Sequence, residues 1–185
     1  MKRPLEMAHD FLAQVITKDD VVVDATMGNG HDTLFLAKLA KQVYAFDIQE
    51  QALEKTSQRL QEAGLTNVEL LLQGHDTVDQ FVTEVKVAIF NLGYLPTADK
   101  SIITKPHTTI EALEKLCQML VKGGRIAIMI YYGHEGGDIE RDAVMDYVSQ
   151  LPQQEYTATI YRTLNQINNP PFLVMIEKLE RYRHG

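Results

Sequence analysis

A chain of 185 residues is long enough to bury one sizeable core and too short for two ordinary domains, so residues 1–185 are expected to form a single domain. The net charge of -7 and isoelectric point near 5.3 argue against broad non-specific nucleic-acid binding and leave room only for a local basic patch. No apolar run reaches membrane-spanning length, and the opening Met-Lys-Arg-Pro-Leu-Glu-Met lacks the apolar core of a signal peptide, so a cytoplasmic protein without a membrane partner is expected.

Leu5 to Ile16 carries apolar residues at Leu5, Ala8, Leu12 and Ile16, the spacing of an amphipathic helix. Val21-Val22-Val23 then reads as a strand buried on both faces, running into Asp24-Ala25-Thr26-Met27-Gly28-Asn29-Gly30. The glycines of that loop leave no Cβ between backbone and ligand. His31 to Leu39 returns to helical spacing, so the unit is strand, Gly-rich loop, helix, with a ligand expected at the carboxyl end of the strand. Gln42 to Phe46 predicts a second strand ending at Asp47, and Gln49 to Ala63 a helix closed by Gly64. Val68 to Leu72 is a third strand. The fourth, Val87 to Phe90, ends at Asn91 and opens into a long loop holding Gly93, Pro96 and Pro106. Ile110 to Val121 predicts a helix ended by Lys122-Gly123-Gly124, and within it Cys117, the one cysteine, reads as a buried, inert thiol. The apolar strand Arg125 to Tyr131 follows, then a Gly-rich turn from Gly133 to Gly137 and a helix from Ile139 to Leu151. Two last strands, Tyr156 to Tyr161 and Phe172 to Glu177, flank the loop Asn165 to Pro171. This alternation predicts an α/β fold: a mostly parallel seven-stranded sheet, helices on both faces, and an antiparallel pair at one edge. That apolar pair could bury its edge against a second copy, as a homodimer, or be an ordinary sheet edge.

Polar residues recur at successive strand ends: Asp24, Asp47, the Gly74-His75-Asp76 cluster and Asn91. In an open α/β sheet such ends meet along one crevice. The first loop departs from the dinucleotide fingerprint, because Gly28 and Gly30 are present but Thr33 stands at the third glycine position. Asp24 is as suited to bracing the loop as to touching a ligand, and Gln49 could reach a ligand or simply cap a helix. His107 and His134 read as surface loop residues.

The order of elements resembles the class I, Rossmann-like fold of methyltransferases that use S-adenosylmethionine. On that resemblance Met27, Gly28, Asn29 and Gly30 border the methionine moiety, and Asp47 accepts the ribose hydroxyls. Gln49, Gly74, His75 and Asp76 then face the adenosine. Asn91-Leu92-Gly93-Tyr94-Leu95-Pro96 resembles the fourth-strand motif of class I enzymes that methylate planar amino groups, with Leu92-Gly93 where two prolines would stand. Together with Ala-Phe-Asp-Ile-Gln, Asp-Lys-Ser and Asn-Asn-Pro-Pro-Phe, these segments resemble, over nearly the whole chain, a family of short bacterial proteins. The family was first labelled rRNA methylase and is now assigned as the tRNA 5-(aminomethyl)-2-thiouridine methyltransferase of Gram-positive bacteria.

That resemblance implies methyl transfer from S-adenosylmethionine to the aminomethyl group of the wobble uridine in the tRNA anticodon region, leaving S-adenosylhomocysteine. No metal is implied. An alkylamine with a pKa of about 10 is mostly protonated at neutral pH and has no lone pair to attack with, so the site must favour the neutral amine. Asn91 is the candidate acceptor for the amine, Tyr94 the candidate stacking platform for the uracil, and His31 or Asp32 the candidate proton acceptors. Lys100, Lys105 and Arg162, with a separate group of Lys178, Arg181 and Arg183, are the cations available for phosphate contacts. Alternatives are a methyltransferase for rRNA or a small-molecule amine, a nicotinamide-dependent oxidoreductase, weakened by Thr33, and a non-catalytic binding module.

Overall fold

The computed structural model describes residues 1–93 and 106–180. Helix α1 spans Pro4–Ala13, α2 His31–Leu39, α3 Glu50–Ala63, α4 Pro106–Met119 and α5 Gly137–Ser149. The strands are β1 Val21–Asp24, β2 Gln42–Asp47, β3 Val68–Leu72, β4 Val85–Leu92, β5 Leu120–Ile130, β6 Tyr156–Tyr161 and β7 Phe172–Lys178. They form one sheet in the order β3-β2-β1-β4-β5-β7-β6. Pairing is parallel from β3 to β5, and β7 runs antiparallel to both of its neighbours.

Side chains alternate across the central strands and so make two cores. Val23, Ala88, Phe90, Ile126 and Ile128 turn to the face covered by α4 and α5. Val22, Val87, Ile89, Ala127 and Met129 turn to the face covered by α1 and α2. Phe46 and Phe90 are fully buried, each contributing about 1.5–3 kcal/mol of transfer free energy. The chain steps from β1 to β2 and β3 on one side, and returns to β4 and β5 on the other. The order therefore reverses between β1 and β4, which opens a crevice at their carboxyl ends.

Several boundaries differ from the periodicity. The first helix stops at Ala13, short of Ile16, because Thr17 turns the chain by donating its N–H and hydroxyl to the Asp20 carboxylate. The predicted helix Ile110 to Val121 ends at Met119, and Leu120 already pairs with Val85. Lys122-Gly123-Gly124 is thus an irregular stretch of β5 and not a helix terminator. A Cβ on Gly124 would come within 2.8 Å of the Lys86 and Val121 carbonyl oxygens, so the crossing needs a bare backbone. A short 3₁₀ helix, His75–Gln80, which is too brief for periodicity to reveal, presses Val78 into the α4 core. Cys117 is buried as expected, with burial pushing its thiol up to about 11. No helix among the described residues is long and apolar enough to cross a membrane.

Gly30, the residue before α2, has φ 88°, and a Cβ there would stand 2.9 Å from Thr56 Cα in α3. Gly30→Ala is therefore expected to destabilise the fold by about 1–3 kcal/mol or more, from left-handed strain and the clash together. Urea denaturation measures it, and a loss well under about 1 kcal/mol would show that the loop and α3 yield easily.

Candidate active site

The turn after β1 is held by polar bonds to every segment around it. Asp24 is fully buried and accepts the Thr26 N–H at 3.1 Å and the Thr33 hydroxyl at 2.6 Å. Asp24 is therefore a brace, and Thr33 has a reason to replace a third glycine. Ala25 N–H donates to Ile89 O and Met27 N–H to Phe46 O, both at 2.9 Å, which ties the turn to β4 and β2. From α3, the Thr56 hydroxyl donates to Gly28 O at 3.3 Å and Arg59 Nε to Asn29 O at 2.6 Å. Asp47 at the end of β2 accepts Gly28 N–H at 3.1 Å with one oxygen and Gln49 N–H at 3.0 Å with the other. Gln49 stands at the N-cap of α3, without a side-chain cap bond.

The remaining candidates separate into groups. Met27 is 2 % exposed and its side chain packs with Ala45 and Ala52, so its contribution to the loop is backbone. His31 is exposed on the first turn of α2, whereas its neighbour Asp32 is buried. The His75 ring lies in the core against Phe90, at 5.3 Å between centroids, with Nδ1 donating to Ala25 O at 2.9 Å. A carbonyl only accepts, so Nε2 carries the lone pair, and burial holds the ring below the ordinary histidine pKa. Gly74 leaves room for Asp76, whose Oδ1 would sit 2.3 Å from a Cβ at that position. Among the described residues His75 Nε2, Asn29 Oδ1 and Asn67 Oδ1 are buried with no hydrogen-bond partner. Tyr94, Lys100, Lys105, Arg181 and Arg183 lie outside the described residues.

Asn91, near the end of β4, is fixed twice. Its N–H donates to the Thr26 hydroxyl at 2.6 Å, and its side-chain Nδ2 donates to Asp32 Oδ2 at 3.3 Å. A carboxylate accepts and does not donate, so the nitrogen of the amide is the end turned to Asp32, and Oδ1 is left to accept from elsewhere. The other carboxylate oxygen of Asp32 lies 2.7 Å from His9 Nε2 in α1. Neither Thr26 nor His9 stood out in the sequence. The signal for His9 would have been a polar ring set between the buried Ala8 and Leu12 of the first helix.

Asp32 and Asp47 stand beside the turn with Asp24 buried behind them, and the three acids interact electrostatically. Burial, reinforced by the charges of Asp32 and Asp47, pushes Asp24 up to about 8 against its hydrogen bonds to Thr33 and Thr26. Burial also raises Asp47, opposed by the N–H groups of Gln49 and Gly28. Tyr131 is raised by burial and, secondarily, by Asp32. A crevice of this charge suits a cationic ligand and repels a pyrophosphate.

The strand order with its reversal at β1 and β4, the Gly-rich turn after β1 and the acid at the end of β2 define a class I methyltransferase fold. Residues 43–177 match the family model described as "Putative rRNA methylase". The chain is 38% identical over 192 residues to a chloroplastic tRNA (mnm(5)s(2)U34)-methyltransferase of Arabidopsis thaliana, covering 96% of this chain and 70% of the relative. A Streptococcus mutans protein described as "a putative methyltransferase", solved in complex with SAH, superposes with a TM-score of 0.92 at 57% identity over 97% of this chain and 99% of that one. A Clostridium thermocellum protein described as a "putative rRNA-methylase" superposes at 0.93 and 41% identity, with the same coverage of both chains. The chain belongs to this rRNA methylase family of methyltransferases.

Asp24 gives the fold a signed pH dependence. Its folded pKa lies above the unfolded value of about 3.9, so the folded state holds the extra proton and loses stability as pH rises from about 4 through about 8. Asp24→Asn keeps an oxygen to accept the Thr26 N–H, turns an NH2 that can donate to the Thr33 hydroxyl oxygen, and carries no charge. Thermal melts between about pH 5 and about pH 9 should fall less in this variant than in the wild type, and parallel curves would remove Asp24 as their source.

Proposed function

We propose that the protein transfers a methyl group from S-adenosylmethionine to the exocyclic amine of 5-aminomethyl-2-thiouridine at the tRNA wobble position. The observation that carries this reading is the Asn91 amide, anchored at the switch point of the sheet with its oxygen available to an amine. The relative from Arabidopsis thaliana, named for the mnm(5)s(2)U34 position of tRNA, supports the same substrate. The rRNA label of the family is the competing substrate.

The residues present fit the cofactor. Asn29 Oδ1 is a buried acceptor without a partner in the loop expected beside the methionine ammonium, and His75 Nε2 is a second one near the strand end expected beside the adenine. Asp47 has two oxygens, each already accepting one backbone N–H, with lone pairs left for ribose hydroxyls. When bound, the cofactor supplies a methyl carbon on a sulfonium, which the amine lone pair takes while the C–S electron pair stays on sulfur. The acidic crevice draws in both the sulfonium and the substrate ammonium. Asn91 Oδ1 then accepts one N–H of the amine and aims its lone pair, and Asp32 stands beside Asn91 as the acceptor for the proton that must leave first. An acidic protein grips tRNA through few phosphates, with Arg162, exposed after β6, as one candidate contact.

Mass spectrometry of nucleosides from tRNA incubated with enzyme and cofactor tests the reading. Conversion of the aminomethyl to the methylaminomethyl nucleoside is expected, and a methylated rRNA nucleoside in its place would replace it. Asn91→Ala should lower the transfer rate far more than it weakens cofactor binding, since the alignment acts in the transition state. Asp47→Ala should weaken cofactor binding by about 1–3 kcal/mol in a folded protein, and unchanged affinity by calorimetry would take Asp47 out of the site.

A further inference from the structure

We propose that His9 is a positioning residue for methyl transfer: reaching in from α1, it holds the Asp32 carboxylate and through it fixes the Asn91 carboxamide with its oxygen toward the substrate amine. This rests on the reading of Asn91 given above and adds to it an element outside the sheet and its cofactor loop. His9 Nε2 lies 2.7 Å from Asp32 Oδ1, and Asn91 Nδ2 donates to Asp32 Oδ2 at 3.3 Å, so one carboxylate spans the two side chains. The Asp32 side chain is 6% exposed and that of His9 24%, which leaves the link largely sheltered from competing water.

The His9 ring is also held by a contact outside this link. The His9 ring stacks on Phe35 with 4.0 Å between centroids and 5° between planes, and Phe35 lies in α2 one turn after Asp32. Its flanking residues Ala8 and Leu12 are fully buried. Helix α1 is tied to the sheet by Arg125 Nη1 donating to Phe11 O at 2.7 Å, and the residues before it by Tyr161 OH donating to Lys2 O at 2.6 Å. The two ends of a carboxamide are nearly equal in size, so sterics alone do not choose between them. An Asp32 carboxylate locked by His9 makes that choice, because it accepts from nitrogen and repels oxygen. Released from His9, the carboxylate can rotate and solvate, and the amide loses its preferred orientation.

The test is methyl transfer to tRNA bearing the aminomethyl group, measured for His9→Ala, His9→Phe, His9→Gln, Asn91→Ala and the double variant His9→Ala with Asn91→Ala. His9→Ala should lower kcat by about 10- to 100-fold, the cost of misaligning a reacting group, with KM for tRNA, cofactor affinity and Tm near wild type. His9→Phe keeps the stack on Phe35 but not the ring nitrogen and should be as slow, whether or not the alanine variant folds. His9→Gln returns an N–H at comparable reach and should recover most of the rate. The double variant should be no slower than Asn91→Ala alone, since both act on one amide. Losses that multiply in the double variant, or His9 variants at the wild-type rate beside a slow Asn91→Ala, would overturn the proposal. Asn91→Ala at the wild-type rate would overturn the reading of Asn91 itself and this one with it.

Discussion

The Asp24 carboxylate, buried at the end of β1, is the point on which the site depends. Burying a carboxylate costs several kcal/mol unless it is well bonded, and here the Thr26 N–H and the Thr33 hydroxyl supply the bonds. Those bonds set the course of the turn from Ala25 to Gly30 and the start of α2. The Thr26 side chain, placed by that turn, receives the Asn91 N–H of β4. The Gly28 and Asn29 carbonyls face α3, and the Gly28 N–H faces Asp47 of β2. Apolar packing sets the strands side by side, while this polar set fixes their ends relative to one another.

The same arrangement stores electrostatic free energy. Burial holds Asp24 above its ordinary range, and the charges of Asp32 and Asp47 add to the shift. Such a site is least comfortable without a cation in it, and binding one relieves the repulsion. An attacking amine raises a conflict, since the field that attracts its ammonium form also favours keeping the proton. On the proposed mechanism a sheltered acceptor next to the amide would meet that conflict, and Asn91 and Asp32 are hydrogen-bonded neighbours.

Helix α1 covers one face of the sheet and buries Ala8 and Leu12 there. Its polar edge reaches further. The bonds from Arg125 to Phe11 O and from Tyr161 to Lys2 O tie the helix and the residues before it to the sheet, so a ring on that edge has a defined place beside Asp32 of α2.

Much of this molecule is local. The periods of two and of nearly four residues, the Gly-rich turn after three valines, and the acid or amide closing each early strand determined the element order, the parallel sheet with its antiparallel C-terminal pair, and the crevice. The places of Gly28 and Gly30 in the turn after β1, and of Asp47 and Asn91 at or near strand ends, were therefore legible. The tertiary structure alone decided the rest. The α4 to β5 boundary follows from Leu120 finding Val85 on another strand, and the separation of exposed His31 from buried Asp32 follows from how α2 lies on the sheet. His75 turned inward to Ala25, and Asp24 became a brace through Thr33. The link of His9, Asp32 and Asn91 joins three segments that only the order of strands brings together. Periodicity reports which face a residue takes on its own element, whereas hydrogen bonds between side chains distant in the chain depend on which elements become neighbours, and that is set by packing.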